Sequence, residues 1–345
     1  MNLSKLFKNY IFNTILIISL TIFVFWIILK DNYHNILQLM SHININYLIL
    51  TFLFVIIVQI LSGYSLSCFA RLTNKNYNII NGLANTLIAN FVSGITPSST
   101  GGQIAQIYTF KKQNIRMSDS ISIIWMDYII SQSMICLFGI IIVLFKFLYF
   151  YHEHSRLFII SLLGLLINIF LIFGLYLATK HNKCYIFITH FLFNIGCKLK
   201  IIKDREHTKN KLDEFLDRFN KEVIKLKSNK ILIIKSCIIH IIRLLFNYSI
   251  PFMIFLTLGQ QVNLDIFINC FSLLIFVSLI NTFFPMPGAT GGTEITFMLM
   301  YQTMFDLLTV QAGVLLWRFL TYYILLIIGL IVFIYFKFKK LEGDI

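Results

Sequence analysis

A short phrase of helix-breaking and hydroxyl-bearing residues occurs twice in this chain. Residues 97–102 read Pro-Ser-Ser-Thr-Gly-Gly, and residues 287–292 read Pro-Gly-Ala-Thr-Gly-Gly. Each copy follows a long apolar run and precedes a polar start to a new helical pattern, at Gln103 and at Thr293-Glu294. Helix breakers within a membrane free backbone groups that no water can satisfy, so they persist mainly where they line a cavity. Two matched breaks therefore predict a transport site built from broken helices.

The phrase is suited to binding an anion. Glycine lets the backbone approach a ligand closely, and a helix that begins after the break points its N–H groups and its positive end at the break. The predicted substrate-binding residues of the two phrases are Thr100, Gly101, Gly102, Gln103, Thr290, Gly291, Gly292 and Glu294, and the structural breaks are Pro97, Pro285 and Pro287. The alternative is that the small residues serve close helix packing.

Four ionisable residues in or beside apolar runs complete the predicted site: Asp127, Arg243, Glu294 and Arg318. An ionisable side chain at membrane depth is a functional hypothesis by default. Buried pairs such as Asp127–Arg243 or Glu294–Arg318 are one arrangement, and such pairing is either purely structural or functional. In the functional version an arginine holds an anionic headgroup, and the carboxylates bind a cationic group or relay protons.

The composition indicates whether these residues lie in a soluble or a membrane protein. The chain has 345 residues, of which 58% are hydrophobic and 13% charged, and its mean hydropathy is +0.80. A soluble domain has about twice that charged fraction, so this is an integral membrane protein. The net charge of +14 is concentrated in a few short segments, which indicates topology and anionic lipid rather than nucleic acid.

The apolar runs predict an all-α, polytopic helix bundle. Runs long enough to span lie near 11–29, 46–69, 120–149, 157–178, 231–258 and 309–336, and two more, near 78–95 and 266–284, lead into the repeated phrases. The basic segments are the N-terminus, the turns at 71–75 and 111–116, the stretch 180–230 and the tail. The positive-inside rule places them, and both termini, in the cytoplasm.

This orientation makes each repeated phrase the end of a re-entrant hairpin. Residues 78–110 must enter and leave from the cytoplasm, and residues 266–305 from the outside. The chain is then a single domain, 1–345, of two inverted repeats, about 1–150 and 157–340, each with a re-entrant broken helix. The alternative is that both runs cross fully, which would put Lys111 and Lys112 outside.

The cytoplasmic stretch 180–230 contains an amphipathic segment. From residue 203 to 230, apolar residues recur every three or four positions among charged ones, which predicts a helix. Its apolar face lies either on an anionic leaflet or on the cytoplasmic ends of the bundle.

Motifs for soluble chemistry are missing from the sequence. It has no P-loop, GxSxG, HExxH or Rossmann fingerprint. His152-Glu153-His154 is a short loop without further ligands, so no metal and no cofactor are expected.

Two stretches resemble the lysylphosphatidylglycerol synthase transmembrane region, the flippase-like domain of the multiple peptide resistance factor, which also exists as stand-alone proteins. They are residues 96–103, followed by Lys111-Lys112, and residues 284–294. The resemblance implies movement of aminoacylated phosphatidylglycerol from the inner to the outer leaflet, which lowers the negative surface charge and repels cationic peptides. Gln103 and Gln106 depart from the family pattern, which often has an acid and an arginine there.

We therefore expect a multi-pass cell-membrane protein that translocates lysylphosphatidylglycerol or a related anionic or lipid-linked headgroup. Helix N-termini and the two arginines would hold its phosphate, Asp127 and Glu294 would face any amine, and the second half would set specificity. The candidate partners are that lipid, a separate synthase and a second copy of the chain, with no nucleic acid.

Two other functions stay open. One is phosphatidylglycerol lysyltransferase, the activity in the family label. The full-length enzymes carry it on a soluble C-terminal domain that is not found in this sequence, so the chain is not expected to be an enzyme on its own. The other is a non-transporting membrane subunit of an envelope-polymer system.

Overall fold

The computed structural model describes residues 32–96, 99–180, 205–261, 263–284 and 286–338, together with Ser19, Trp26 and Lys30. The span expected near 11–29 lies outside these residues except for Ser19 and Trp26, and Pro97 and Pro285 also lie outside them. Every regular element in the described ranges is helical, which confirms the all-α prediction.

The helices are numbered here in chain order. They are α1 (Tyr33–Ser41), α2 (Ile45–Ala70), α3 (Ile79–Gly94), α4 (Gly101–Lys112), α5 (Met117–Lys180), α6 (Arg205–Ser228), α7 (Lys230–Thr257), α8 (Leu264–Ile280), α9 (Gly292–Tyr301), α10 (Leu307–Arg318) and α11 (Ile324–Phe338). Short 3₁₀ turns at Asn281–Phe283 and Pro287–Ala289 separate α8 from α9, and a π-helical turn, Phe319–Tyr323, joins α10 to α11.

Six helices in the described part are long and apolar enough to cross a membrane. They are Ile45–Ala70, Met117–His152, Arg156–Leu177, Lys230–Thr257, Leu264–Phe283 and Leu307–Phe338. Many large apolar side chains on their outer faces are exposed, such as Leu144 and Phe170 at more than 70%. A surface of this kind is stable only in lipid, so the chain is a multi-pass membrane protein.

Helix α5 folds back on itself. The rings of Phe147 and Phe158 lie 5.4 Å apart, and a Cβ built on Gly139 would lie 3.0 Å from Leu165. A straight helix would separate Gly139 from Leu165 by roughly 40 Å, because each residue adds about 1.5 Å. The segment therefore consists of two antiparallel legs, Met117–His152 and Arg156–Leu177.

Helices α2 and α7 form an antiparallel pair along the length of the molecule. At one end the Asn44 N–H donates to the Thr257 carbonyl at 2.9 Å, and at the other the Ser65 and Ser236 hydroxyls lie 3.1 Å apart. The rings of Phe54 and Phe246 stack edge-on between them. Contacts with residues along this pair show how far toward each end of the bundle the other elements lie.

Helices α3 and α4 form the first hairpin. The Gln113 side chain donates to the Asn81 carbonyl and Asn85 donates to the Gln106 carbonyl, so the two helices run antiparallel. The hairpin begins where Ser67 donates to the Asn78 carbonyl, near the end of α2, and reaches Gln59, near the middle of α2, where Asn90 donates at 2.6 Å.

Helices α8 and α9 form the second hairpin. Its open end is closed by the Tyr301 hydroxyl, which donates to the Cys270 carbonyl at 2.7 Å. Helix α8 packs against the last half of α7, where the rings of Phe267 and Phe252 are 5.0 Å apart. This hairpin therefore approaches the middle of the bundle from the end opposite to the first, since Ser65 and Ser236 mark the other end. The inverted-repeat symmetry of the halves stays a prediction.

The amphipathic helix α6 packs on the bundle. Leu216, Phe219, Val223 and Leu226 are each less than 10% exposed, and the Phe219 ring lies edge-on to Trp125 of α5. The sequence left two placements open for this apolar face, the anionic leaflet or the ends of the bundle. In the structure the face packs against the bundle. Basic residues such as Arg218, Lys221 and Lys227 are left exposed.

Candidate functional site

The ends of the two hairpins border one cavity of about 600 Å³ near the middle of the molecule. We call residues 94–96, 99 and 100 the first tip and residues 281–284 and 286–291 the second tip. The first hairpin contributes Asn90, Ser93, Gly94 and Ser99 to the wall, and the second contributes Asn281, Thr282, Phe284, Gly288 and Ala289. The two predicted breaks, far apart in sequence, thus meet at one site.

Long helices close the cavity on its other sides. Helix α2 contributes Gln59 and Ser62, helix α7 contributes Arg243 and Asn247, and the π-helical turn contributes Thr321 and Tyr322. Gln59 lies near the middle of α2, and Arg243 lies near the middle of α7. A wall of amides and hydroxyls at this depth is costly in an apolar bundle unless it serves a polar ligand or water.

The first tip is held by its own side chains. The Thr96 hydroxyl accepts from the Gly101 N–H at 3.0 Å, and the Ser93 hydroxyl donates to the Ser99 carbonyl at 3.3 Å. Gly102 packs so closely against α3 that a Cβ there would overlap Ser93 and lie 3.1 Å from the Ala89 carbonyl oxygen. Glycine is needed at residue 102 for this approach.

The second tip has an unusual backbone held by a buried acid. Ala289 and Gly291 have φ values of 51° and 90°, in the left-handed region. The Gly291 N–H donates to Glu294 Oε2 at 2.7 Å, so Glu294 caps the helix that it opens. The N-terminus predicted to hold a phosphate therefore already carries a carboxylate from its own first turn.

Glu294 and Arg318 form a buried two-point ion pair. Arg318 Nε lies 2.9 Å from Glu294 Oε1, Nη2 donates to Oε2 at 3.1 Å, and the side chains are 1% and 7% exposed. Arg318 Nη2 also lies within 3.3 Å of the Gly288 carbonyl oxygen, and the guanidinium lies over the Trp317 and Tyr322 rings. Both charges are thus used to fix the second tip from behind the cavity wall.

Tyr322 links the two tips and was not among the predicted site residues. Its hydroxyl donates to the Gly94 carbonyl at 3.0 Å and shares a side-chain hydrogen bond with Thr290. Its ring lies against Gly288. The sequence signal was weak: an aromatic residue four positions after Arg318 lies on the same helical face. The π-helical turn that carries it is typical of functional positions in helices.

Asp127 belongs to a second polar cluster. Its Oδ1 accepts from Ser65 at 2.5 Å and lies 3.0 Å from His240 Nε2, and the carboxylate interacts electrostatically with Arg243. Arg243 Nη2 donates to Ser131 at 3.0 Å. Ser65 and His240 were not predicted as site residues. Serine at this depth has no distinctive sequence pattern, whereas His240 could have been found by its spacing of three from Arg243.

The predicted site residues therefore do not form one cluster. Arg243 lines the cavity, Thr290, Glu294 and Arg318 hold the second tip, and Asp127 lies in the cluster with His240. Thr100 and Gln103 are exposed, whereas Gly101 and Gly102 are buried in the first hairpin. Pro287 begins the 3₁₀ turn of the second tip.

Comparison with known proteins gives one match. A family model described as the lysylphosphatidylglycerol synthase TM region matches residues 12–329. No curated protein matches the chain. No solved structure matches it.

Proposed function

Because the chain belongs to the lysylphosphatidylglycerol synthase transmembrane-region family, we propose that it moves a lipid headgroup between the leaflets of the cell membrane. The observation that carries the proposal is the polar cavity between the two tips. A charged headgroup cannot cross about 30 Å of hydrocarbon unaided, because its desolvation is too costly. A polar chamber at mid-height supplies a resting place for it.

The candidate substrates are lysylphosphatidylglycerol, which the family description names, and related anionic or lipid-linked headgroups. Both termini lie in the cytoplasm, and the partners are the lipid, a separate synthase and a second copy of the chain. Arg243 contacts the headgroup from the cavity wall, while the Glu294–Arg318 pair keeps the second tip in shape. Rocking of one hairpin against the other exposes the cavity to each side in turn. Where the headgroup that moves is lysylated, the outer surface becomes less negative and resists cationic peptides.

The arrangement of the tips supports this mechanism. Each tip approaches from its own end of the bundle, so a movement of either one opens the cavity toward that end. Tyr322 contacts both tips and is the side chain that must change partners when they separate. The helix that carries it, Leu307–Phe338, passes both hairpins: Arg318 contacts the second tip, and Gly329 packs on Leu87 of the first hairpin.

A large side chain introduced into the cavity tests whether the lipid headgroup passes through it. Ser62 lines the cavity, whereas Ile60, two positions away on the same helix, is 41% exposed on the outer face. We expect Ser62→Trp to reduce exchange of fluorescent anionic lipid in proteoliposomes at least about tenfold, and Ile60→Trp to leave it unchanged. Quenching of outer-leaflet lipid by dithionite measures the exchange, and detergent melting curves check the fold of both variants.

The results separate the alternatives. Equal rates for Ser62→Trp and the unaltered protein would show that lipid does not pass through the cavity. An absence of exchange in the unaltered protein, over a panel of headgroups, would instead favour a non-transporting subunit. Newly formed lysyl lipid in cells that express this chain alone would favour the lysyltransferase.

A further inference from the structure

The described wall of the cavity carries positive charge and no negative charge. Among the described residues of the wall, Arg243 is the charged one, and the polar remainder are amides and hydroxyls such as Gln59, Asn90, Asn281 and Thr282. No carboxylate belongs to this part of the wall. A headgroup inside the cavity therefore meets one cation and many neutral hydrogen-bonding groups.

Arg243 has donor capacity to spare for a ligand. One nitrogen donates to Ser131, and the buried Nε has no hydrogen-bond partner. A guanidinium has five N–H donors in a planar fork that matches a phosphate. Because Arg243 lines the cavity, an anion inside the cavity can accept hydrogen bonds from this guanidinium.

The two membrane-depth carboxylates are engaged elsewhere. Glu294 pairs with Arg318 and caps Gly291, with its side chain 1% exposed. Asp127 accepts from Ser65, lies against His240 and interacts electrostatically with Arg243, so its charge is already engaged, and neither carboxylate is part of the cavity wall. An ammonium group in the cavity would have no free carboxylate to pair with.

We infer that the cavity selects a lipid headgroup with one phosphate and several hydroxyls and without an amine, in preference to an aminoacylated headgroup. This inference rests on the proposed function and specifies its substrate class. A lysyl ester adds two ammonium groups to one phosphate, so it would be repelled by Arg243 and left with unpaired charge. Glycerol or a sugar on the phosphate would bond the amides and hydroxyls of the wall. The cavity volume of about 600 Å³ lies within the usual range for small-molecule sites, about 300–1,000 Å³.

A comparison of headgroups tests the inference in proteoliposomes. Fluorescent phosphatidylglycerol, phosphatidylinositol, phosphatidylserine, phosphatidylethanolamine and lysylphosphatidylglycerol are each followed under identical conditions. We expect phosphatidylglycerol and phosphatidylinositol to exchange at least about tenfold faster than lysylphosphatidylglycerol. Phosphatidylserine should exchange at an intermediate rate, because it is anionic but carries an amine. Exchange of phosphatidylglycerol but not of phosphatidylinositol would narrow the ligand to the smaller polyol.

Substitutions at two residues of the wall, Arg243 and Gln59, test whether the wall sets the preference. Arg243→Gln should slow phosphatidylglycerol at least about tenfold, Arg243→Lys should keep part of the rate, and Arg116→Gln, at an exposed position outside the cavity, should change nothing. Gln59→Glu can still accept from Asn90, and it adds a carboxylate to the wall. It should shift the preference toward lysylphosphatidylglycerol by about tenfold or more.

Each contrary result has a separate meaning. Faster exchange of lysylphosphatidylglycerol than of phosphatidylglycerol, or a preference that Gln59→Glu does not alter, would overturn this inference and leave translocation intact. If Arg243→Gln fails to fold, the effect of Gln59→Glu on the headgroup preference still tests the inference. No exchange of any lipid would instead overturn the proposed function itself.

Discussion

At the scale of single residues, the buried charges divide into those that build the site and those that face it. Glu294 and Arg318 satisfy each other and the backbone of the second tip. Arg243 instead lines the cavity and donates to Ser131. Two arginines at similar depth thus occupy different positions: Arg318 is paired with a buried carboxylate behind the wall, whereas Arg243 lines the cavity.

The Glu294–Arg318 pair can be measured by a double-mutant cycle. Glu294→Gln leaves the arginine buried without a counter-charge, and Arg318→Gln does the same to the acid, so each should lower the free energy of unfolding by about 3–5 kcal/mol. The double variant removes both charges and should cost less than the sum, with a coupling of about 0.5–3 kcal/mol. Equilibrium unfolding in mixed detergent micelles provides the values. Additive losses would mean that the two charges do not stabilise each other.

The residue-scale chemistry was only partly accessible from the sequence. Asp127, Arg243, Glu294 and Arg318 stand out because charges are rare in apolar runs, and Glu294 and Arg318 do pair. The partners of Asp127 did not follow from the sequence, since Ser65 and His240 come from two other helices and a lone serine in an apolar run looks like any packing residue. The neutral wall of the cavity was missed for the same reason: Gln59, Asn90 and Asn281 acquire meaning only when three elements converge.

At the scale of elements, close packing of small residues makes the hairpins possible. A Cβ on Gly63 would lie 2.5 Å from the backbone nitrogen of Leu83, so α2 and α3 touch backbone to backbone. In lipid there is little hydrophobic gain from bringing helices together, and close van der Waals contact supplies much of the stability instead. Packing, the alternative left open by the sequence, therefore accounts for the glycine at residue 102, and the hairpin that it packs positions the tip. Binding of a ligand by the glycines stays a prediction.

Gly102 offers a test of that packing with a matched control. Gly102→Ala should lower the free energy of unfolding by about 1–3 kcal/mol, because its methyl group overlaps the Ser93 hydroxyl. Gly174→Ala, where no atom lies within 4 Å, should be neutral or gain up to about 1 kcal/mol of helix propensity. Adding Ser93→Ala to Gly102→Ala should recover part of the loss, since it removes the overlapping oxygen. Unfolding in mixed micelles measures all three, and equal stability of the two single variants would contradict the close approach.

At the scale of the whole molecule, the opposite approach of the two hairpins is the feature that ties fold to function. The sequence predicted it from two independent properties, the helix breakers and the distribution of lysine and arginine. The hydrogen bonds at Asn78 and Asn90 and the contact between the Phe252 and Phe267 rings place the hairpins at opposite ends of the α2–α7 pair. Helix breakers and charge bias are local properties, which is why they can be read along the chain. The height at which the tips meet depends on helix packing and could not be read in that way.

Which end faces the cytoplasm is the last expectation, and chemical labelling in cells tests it. Single cysteines are introduced in a background in which all six native cysteines (Cys68, Cys136, Cys184, Cys197, Cys237 and Cys270) are replaced. Exposed Asn76 and Asn114 flank the first hairpin, and exposed Gln261 and Gln302 flank the second. We expect a membrane-impermeant maleimide to label Gln261→Cys and Gln302→Cys in intact cells, and to label Asn76→Cys and Asn114→Cys only after permeabilisation. Asn76 and Asn114 lie in or next to the basic turns at 71–75 and 111–116. The positive-inside rule places these turns in the cytoplasm. Labelling of all four from one side would mean that the hairpins share an entrance, and a site that opens alternately to the two leaflets could not be built from them.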